Sequence, residues 1–180
     1  MMEEQVILVD KNDKPIGKMG KLEAHQKGLL HRAISVFIFN SKGEMLLQKR
    51  ALHKYHTPGL WSNTACSHPR SNEIVKRAAE RRLKEEMGIN CDLFFSFNFL
   101  YKADFNNGLI ENELDHVYIG FSDEKPKPNP SEVGDYKYIK PEALITEIKR
   151  MPDAYTPWFK ICVERVIEKK SFVQKEILIA

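Results

Sequence analysis

Cysteine is scarce in this chain of 180 residues: there are three, at 66, 91 and 162, and they cannot all pair. Their spacing matches neither a disulfide framework nor a Cys-x-x-Cys zinc module, which points to a reducing, intracellular setting. Long apolar runs are also missing. No stretch approaches the roughly 20 residues of a membrane span, and the opening MMEEQVILVD lacks the basic region and apolar run of a secretory leader. These absences predict a cytoplasmic protein without a membrane partner. Charge of one sign is not in excess either. Lys and Arg number 28 against 25 Asp and Glu, a net +3, and the basic residues are dispersed rather than blocked. That balance predicts no nucleic-acid partner and leaves room for a small anionic ligand. Internal repeats are absent.

What remains is an ordinary globular composition, 42% apolar and 29% charged, sufficient for one sizeable core and a single domain over 1–180. QVILVD reads as a short strand ended by the turn-rich KNDKPIG, and RAISVFIFN (32–40) with EMLLQKR (44–50) flanks NSKG as a hairpin. LWSNTAC is extended after a Pro-Gly break. Residues 91–101 and 114–121 are extended runs joined through Asn106, Asn107 and Gly108, and KPKPNP is a stiff surface loop. SNEIVKRAAERRLKEEMG has a helical signature: Ser71 or Asn72 as cap, a stripe of Ile74, Ala78, Leu83 and Met87 with Val75 and Ala79, and Gly88 as terminator. Helices over about 141–150 and 156–170 follow, and the terminal KSFVQKEILIA is either a docked strand or a partner contact. Strands around one strong internal helix predict a layered α+β domain.

The segment NTACSHP (63–69) sets a thiol two positions before an imidazole and then adds a proline. Pro69 disfavours helical geometry at His68, so Cys66 and His68 fall on an extended segment with their side chains on one side. In a pocket the pair is a thiol beside a metal ligand; in a core it is a small hydrophobe and a satisfied histidine.

Further on, the helix spaces Glu73, Arg81, Leu83, Glu85, Glu86, Gly88 and Ile89 in a pattern that resembles the Nudix box, whose helix presents acids to a divalent cation on a diphosphate. A solvated face laced by Arg81 with Glu85 and Arg82 with Glu86, both at i,i+4, would use the same residues. Ser67 stands where the box opens with glycine, and Arg82 replaces the first acid of the usual Arg-Glu pair. Exchanging a carboxylate for a guanidinium removes a metal ligand and adds a fork suited to phosphate oxygens. Holding a diphosphate without cleaving it would gain from that exchange.

Around the helix lie KLEAH at 21–25, His31, KRALHK at 49–54, PGLWSNTACSHP at 58–69, YKADFNNGLIENE at 101–113 and TPW at 156–158. This set closely resembles the type I isopentenyl-diphosphate isomerases, a Nudix-fold family of isoprenoid biosynthesis that interconverts isopentenyl and dimethylallyl diphosphate. The resemblance implies an α/β/α layered fold with a mixed sheet. It implies a divalent metal, Mn2+ or Zn2+, bound by His25, His31, His68, Glu111 and Glu113, donor types that suit those ions. The His25–His31 interval is one residue shorter here than in well-known bacterial members. Lys21, Arg50, Lys54 and Arg82 are implied as diphosphate contacts, with Mg2+ bridging the substrate to Glu86 and the Cys66 carbonyl.

Moving the double bond of an unactivated alkene requires a proton added at its terminal carbon, which makes a tertiary carbocation, and another removed from the carbon on the other side of that cation. On the resemblance, Glu113 with Tyr101 is the acid, Cys66 the base on the opposite face, and Trp158 the π-face beside the cation. Two other functions share the scaffold: hydrolysis of a nucleoside diphosphate derivative, and diphosphate binding without turnover. Oligomeric state is left open between monomer and weak dimer.

Overall fold

The computed structural model describes residues 4–54, 56–105 and 107–179, with side chains through Lys175. Asn106, read above as part of a turn, lies outside these residues. In chain order the strands are β1 (Gln5–Val9), β2 (Pro15–Gly20), β3 (His31–Phe39), β4 (Met45–Arg50), β5 (Trp61–Ser62), β6 (Ala65–Ser67), β7 (Leu93–Asp104), β8 (Ile110–Phe121) and β9 (Val133–Ile139). The helices are α1 (Lys21–Lys27), α2 (Val75–Met87), α3 (Pro141–Arg150) and α4 (Pro157–Ile179).

β3 organises the sheet. It is apolar almost throughout and buried on both faces, as expected of a strand covered by helices on either side. It runs parallel to β8 from His31↔Glu113 to Phe39↔Phe121, and β7 extends the sheet antiparallel to β8. Against β4 it pairs only at Ile38↔Leu46 and Phe39↔Met45, beside the Asn40–Gly43 turn. The two strands then part. β6 fills in against β3, with Ser35 opposite Cys66, and β5 fills in against β4. This fork is the structural origin of the site described below.

Each face of the mixed sheet has its own core. Ile34, Val36, Ile38 and Leu46 pack against Ala78, Ala79, Leu83 and Met87 of α2. Phe37, Phe39, Val117 and Ile119 pack against Trp158, Phe159, Cys162, Val163 and Val166 of α4. Full burial of a side chain such as Leu83 or Phe37 contributes about 1.5–3 kcal/mol each, so the α/β/α layering follows directly from period-two strands meeting helical stripes.

Three local expectations change, and one element is added. α2 starts later than Ser71 and Asn72 predict: Ile74 is its N-cap without a side-chain bond and is 70% exposed, so it leaves the apolar stripe. Asn72 instead takes a left-handed turn at φ 64°, a conformation asparagine tolerates well. The KNDKPIG stretch is a turn only at its start, since Pro15–Gly20 pairs with β1. KLEAHQK forms a short helix for which no expectation was made. Finally, the chain end is not a strand, because α4 continues to Ile179 with Val163, Val166 and Val173 keeping helical spacing on its buried side.

Candidate active site

The fork between β3 and β4 opens into a cavity of about 330 Å³. Lys21, Arg50, Lys54 and Arg82 line it together with Cys66, His68, Glu86, Tyr101, Glu111, Glu113 and Trp158. Residues from α1, β4, a loop and α2 thus place four cations around one space. Lys21 Nζ lies 3.1 Å from Glu4 Oε2, and Lys54 pairs with Glu132. The Arg50 guanidinium sits 5.4 Å from the centre of the Trp158 ring, and its Nη1 is 3.7 Å from Cys66 Sγ.

Arg82 pairs with Glu86 as the helical spacing predicts, but not on a solvated face. Its side chain is 15% exposed and also reaches Glu85 at 2.9 Å and Glu132 at 3.1 Å. Burial alone would favour loss of its proton; Glu86, Glu132 and Glu85 outweigh that and hold the guanidinium charged. Glu86 is buried and accepts a 2.6 Å bond from Gln48 Nε2. Burial pushes its carboxyl up, against the pull of Arg82. The end of α2 that carries Glu86 is held by the 125–130 loop, whose Lys127 and Asn129 N–H groups donate to the Met87 and Glu86 carbonyls. Arg81 is bound to Glu73 at 2.7 Å and shares Glu85 with Arg82, at 3.0 Å.

Behind the cations is a set of buried imidazoles. Gly28, left-handed at φ 59°, closes α1 and turns the chain straight into β3. That compact turn accommodates the short interval and brings the His25 and His31 rings to 4.7 Å. Their Nδ1 atoms lie 2.6 Å from the Lys21 carbonyl and 2.8 Å from the Leu29 carbonyl. A carbonyl only accepts, so each Nδ1 bears the proton and, in the neutral ring, each Nε2 bears the lone pair. His31 Nε2 is buried without a hydrogen-bond partner among the described residues. This arrangement fixes ring orientation in the way metal-binding histidines require.

Ligand atoms of His25, His31, His68 and Glu113 all lie within 4.8 Å of one another. Glu111 adjoins that group through His25 and Glu113 and forms another with His25 and His56. Its Oε2 is 3.2 Å from His25 Nε2 and its Oε1 3.1 Å from His56 Nδ1. Burial pushes His68 down to about 4 and His56 to about 3, leaving both rings neutral at pH 7. Burial and the neighbouring Glu113 charge push the Glu111 carboxyl well up. For Glu113 burial acts the same way, but the His68 ring, whose Nε2 lies 2.8 Å from Oε1, outweighs it and holds the carboxyl well below the usual range. Neutral imidazoles and carboxylates converging in a buried site fit a divalent cation such as zinc or manganese.

Tyr101 pairs with Glu113 across β7 and β8, and its hydroxyl donates to Glu113 Oε2. Burial and the Glu113 charge push that hydroxyl well above its ordinary value. Cys66 lies two strands away, on β6, where burial pushes its thiol up to about 12 despite Arg50. Trp158 is fixed by Nε1 bonds of 3.1 Å to Ser62 and to Asn63. Cys66 and His68 therefore line a pocket rather than fill a core.

Sequence reasoning missed several lining residues. Asp115 is buried, accepts a 2.7 Å bond from Ser35 Oγ, and is pushed up to about 8 by burial and Glu113. It continues the period-two series of Glu111 and Glu113, and that pattern would have revealed it. His56, Glu4 and Glu132 carry no local signal, since each acquires its neighbours only through the fold.

A NUDIX domain model matches residues 29–160. The structure of DR0079 from Deinococcus radiodurans is similar at a TM-score of 0.74 and 21% identity, covering 90% of this chain and 98% of that one. The MutT protein from Methanosarcina mazei gives 0.65 at 18% identity, over 79% and 95% of the two chains. Fold and cleft are thus those of a NUDIX-domain protein. Sequence relatives narrow the class. Isopentenyl-diphosphate Delta-isomerase 1 of Aromatoleum aromaticum is 55% identical over 92% of this chain and 94% of its own. The Isopentenyl-diphosphate Delta-isomerase of Pectobacterium atrosepticum is 51% identical over 90% of each. The chain belongs to this isopentenyl-diphosphate Delta-isomerase family of NUDIX-domain proteins.

Proposed function

We propose that the chain, acting as one domain, interconverts isopentenyl and dimethylallyl diphosphate in isoprenoid biosynthesis by adding a proton to the alkene from one side and removing one on the other. The observation that carries this is the presence of Cys66 and the Tyr101–Glu113 pair in one cavity with four cations. Lys21, Arg50, Lys54 and Arg82 hold the diphosphate, and the hydrocarbon end reaches the buried floor. Glu113, carrying the Tyr101 hydroxyl, is the acid facing the cavity, while the burial that pushes the Cys66 thiol up makes its thiolate a strong base. Protonation by Glu113, with Tyr101 alongside, and deprotonation by Cys66 convert isopentenyl to dimethylallyl. Thiol and carboxylate are the states left behind, and from them the reverse conversion starts. Trp158, locked by Ser62 and Asn63, offers its ring to the carbocation and adds no nucleophile that would trap it.

A divalent cation, Mn2+ or Zn2+, held by His25, His31, His68 and Glu113, with Glu111 beside them, supplies charge that fixes and polarises the Glu113 carboxyl. Glu86 and the Cys66 carbonyl, both at the cavity, would hold a Mg2+ that arrives with the substrate, and its charge would offset that of the diphosphate. We place the reaction in the cytoplasm, where the free Cys66 thiol stays reduced. Hydrolysis is disfavoured because Glu73 and Glu85 are tied to Arg81 and Arg82, leaving Glu86 as the α2 carboxylate in the cavity. Incubating the purified protein with isopentenyl diphosphate and Mg2+ tests the proposal. Acid-labile allylic product supports it; release of phosphate without that product would support the hydrolase.

A further inference from the structure

We propose that His56 is a metal-ligating residue, and that His25, His56 and Glu111 form a second position for a divalent cation beside the one made by His25, His31, His68 and Glu113. This rests on reading the histidine cluster as a cation site, but not on the isomerase activity. His56 belongs to none of the motifs that resemble the family's, and it enters the cavity from the loop after β4. It is 5% exposed, with its ring 4.9 Å from that of His25 at 79° and 5.7 Å from that of Phe105 at 68°. The loop is anchored on both sides of the ring. Arg50 Nη2 donates to the His56 carbonyl at 3.2 Å, and Thr57 is held at φ 46°, a conformation unusual for a β-branched residue.

The geometry suits an ion. Ligand atoms of the three residues lie within 4.8 Å of one another, and the His56 Nδ1–Glu111 Oε1 separation is 3.1 Å. Donors around an ion at about 2.0–2.2 Å sit roughly 3–4 Å apart, so small side-chain movements close the set. Two imidazoles and one carboxylate favour zinc, manganese or cobalt over magnesium and leave a coordination position open.

The two positions share His25. Its Nδ1 is committed to the Lys21 carbonyl, so only Nε2 ligates, and one ion at a time uses it. The positions are therefore alternatives for a single ion, and the His56 branch retains that ion when the His31 branch is disabled. Glu111, which falls outside the four-ligand group, gains its role in this second branch.

Titrating chelator-stripped full-length protein with Co2+, followed by visible absorption and calorimetry, tests this in wild type, His31→Ala, His56→Gln and the double variant, with circular dichroism checking the fold. We expect one Co2+ per wild-type chain, retained binding with an altered spectrum in His31→Ala, and a further loss of about 10-fold or more in the double variant, the scale on which even outer-shell changes act. Should His56→Gln not fold, Glu111→Gln in the His31→Ala background removes the branch's oxygen donor with the same expected loss. Affinity and spectrum unchanged by the His56 substitution in both backgrounds overturn the inference while the main site stands. A wild-type protein that takes up no Co2+ overturns both.

Discussion

Replacing Tyr101 by Phe removes one hydroxyl from the centre of the site and leaves the ring packing in place. The ring stacks on Phe99 at 5.6 Å and meets Trp158 at 6.5 Å, contacts that phenylalanine reproduces. What disappears is the bond to Glu113 Oε2, in a carboxylate whose side chain is 8% exposed. A hydrogen bond to a buried charged group is worth about 1.5–3 kcal/mol. Its loss disfavours the ionised carboxylate, so the Glu113 pKa rises toward the ordinary range. A weaker acid, without its aligned hydroxyl, lowers turnover by about 100-fold on the scale of general acid–base catalysis. Steady-state kinetics with isopentenyl diphosphate should therefore show a large fall in kcat, little change in KM, and a pH–rate limb displaced upward. Thermal melting should show a folded protein. Unchanged kcat and pH profile in a folded but destabilised variant would make the hydroxyl a structural group and refute this reasoning.

Cys66→Ala should fold normally, since the residue is only partly buried, and lose about 100- to 10,000-fold in turnover; near-normal turnover in a folded sample removes the thiol from the chemistry. Arg82→Lys keeps the charge but loses the bidentate fork, so KM should rise by about 10-fold with a smaller change in kcat, a split read from initial rates. Glu73→Gln probes the ion pair that braces the turn before α2, where Arg81 also reaches within 3.5 Å of the His68 carbonyl. Arg81's hydrogen bonds hold Glu73 below its ordinary pKa, so the pair stabilises the fold above the unfolded value near 4.3 and loses that contribution as pH falls through the depressed one. Denaturant melts should put the variant about 1 kcal/mol below wild type at pH 7, with the gap closing under acid conditions; a gap independent of pH would mean another cause.

The membership of this site came from the resemblance of its motifs to a known family, and what residue types and spacing made readable by themselves is local. Cys66 on β6 and His68 just after it line the same cavity, Glu111 and Glu113 share a side on β8, and Gly88 ends α2 where the pattern places it. The helical stripe of Ala78, Leu83 and Met87 was legible because it repeats over three turns. α1 was not, since seven mostly polar residues give too short a period, and its Leu22 is 47% exposed. The helix cap was misplaced because Ser71 and Asn72 serve a turn instead, a use those residue types fit equally well. His56 and Glu132 became visible only when the chain folded, as their neighbours come from distant segments. Arg82 shows both sides. Its pairing with Glu86 follows from spacing, whereas its place inside a cavity follows from the β3–β4 fork.

Running the reaction in D2O tests most directly whether protein groups on two walls exchange protons with the alkene. With the protein equilibrated in D2O and given isopentenyl diphosphate, each first conversion should add one solvent deuteron at the terminal carbon and remove one proton from the methylene carbon on the other side of the cationic carbon. Dimethylallyl diphosphate with a single deuterium in a methyl group is the expected product. Product free of deuterium would mean that the hydrogen moves within the substrate, and the two-sided site built from Cys66 and the Tyr101–Glu113 pair would be wrong.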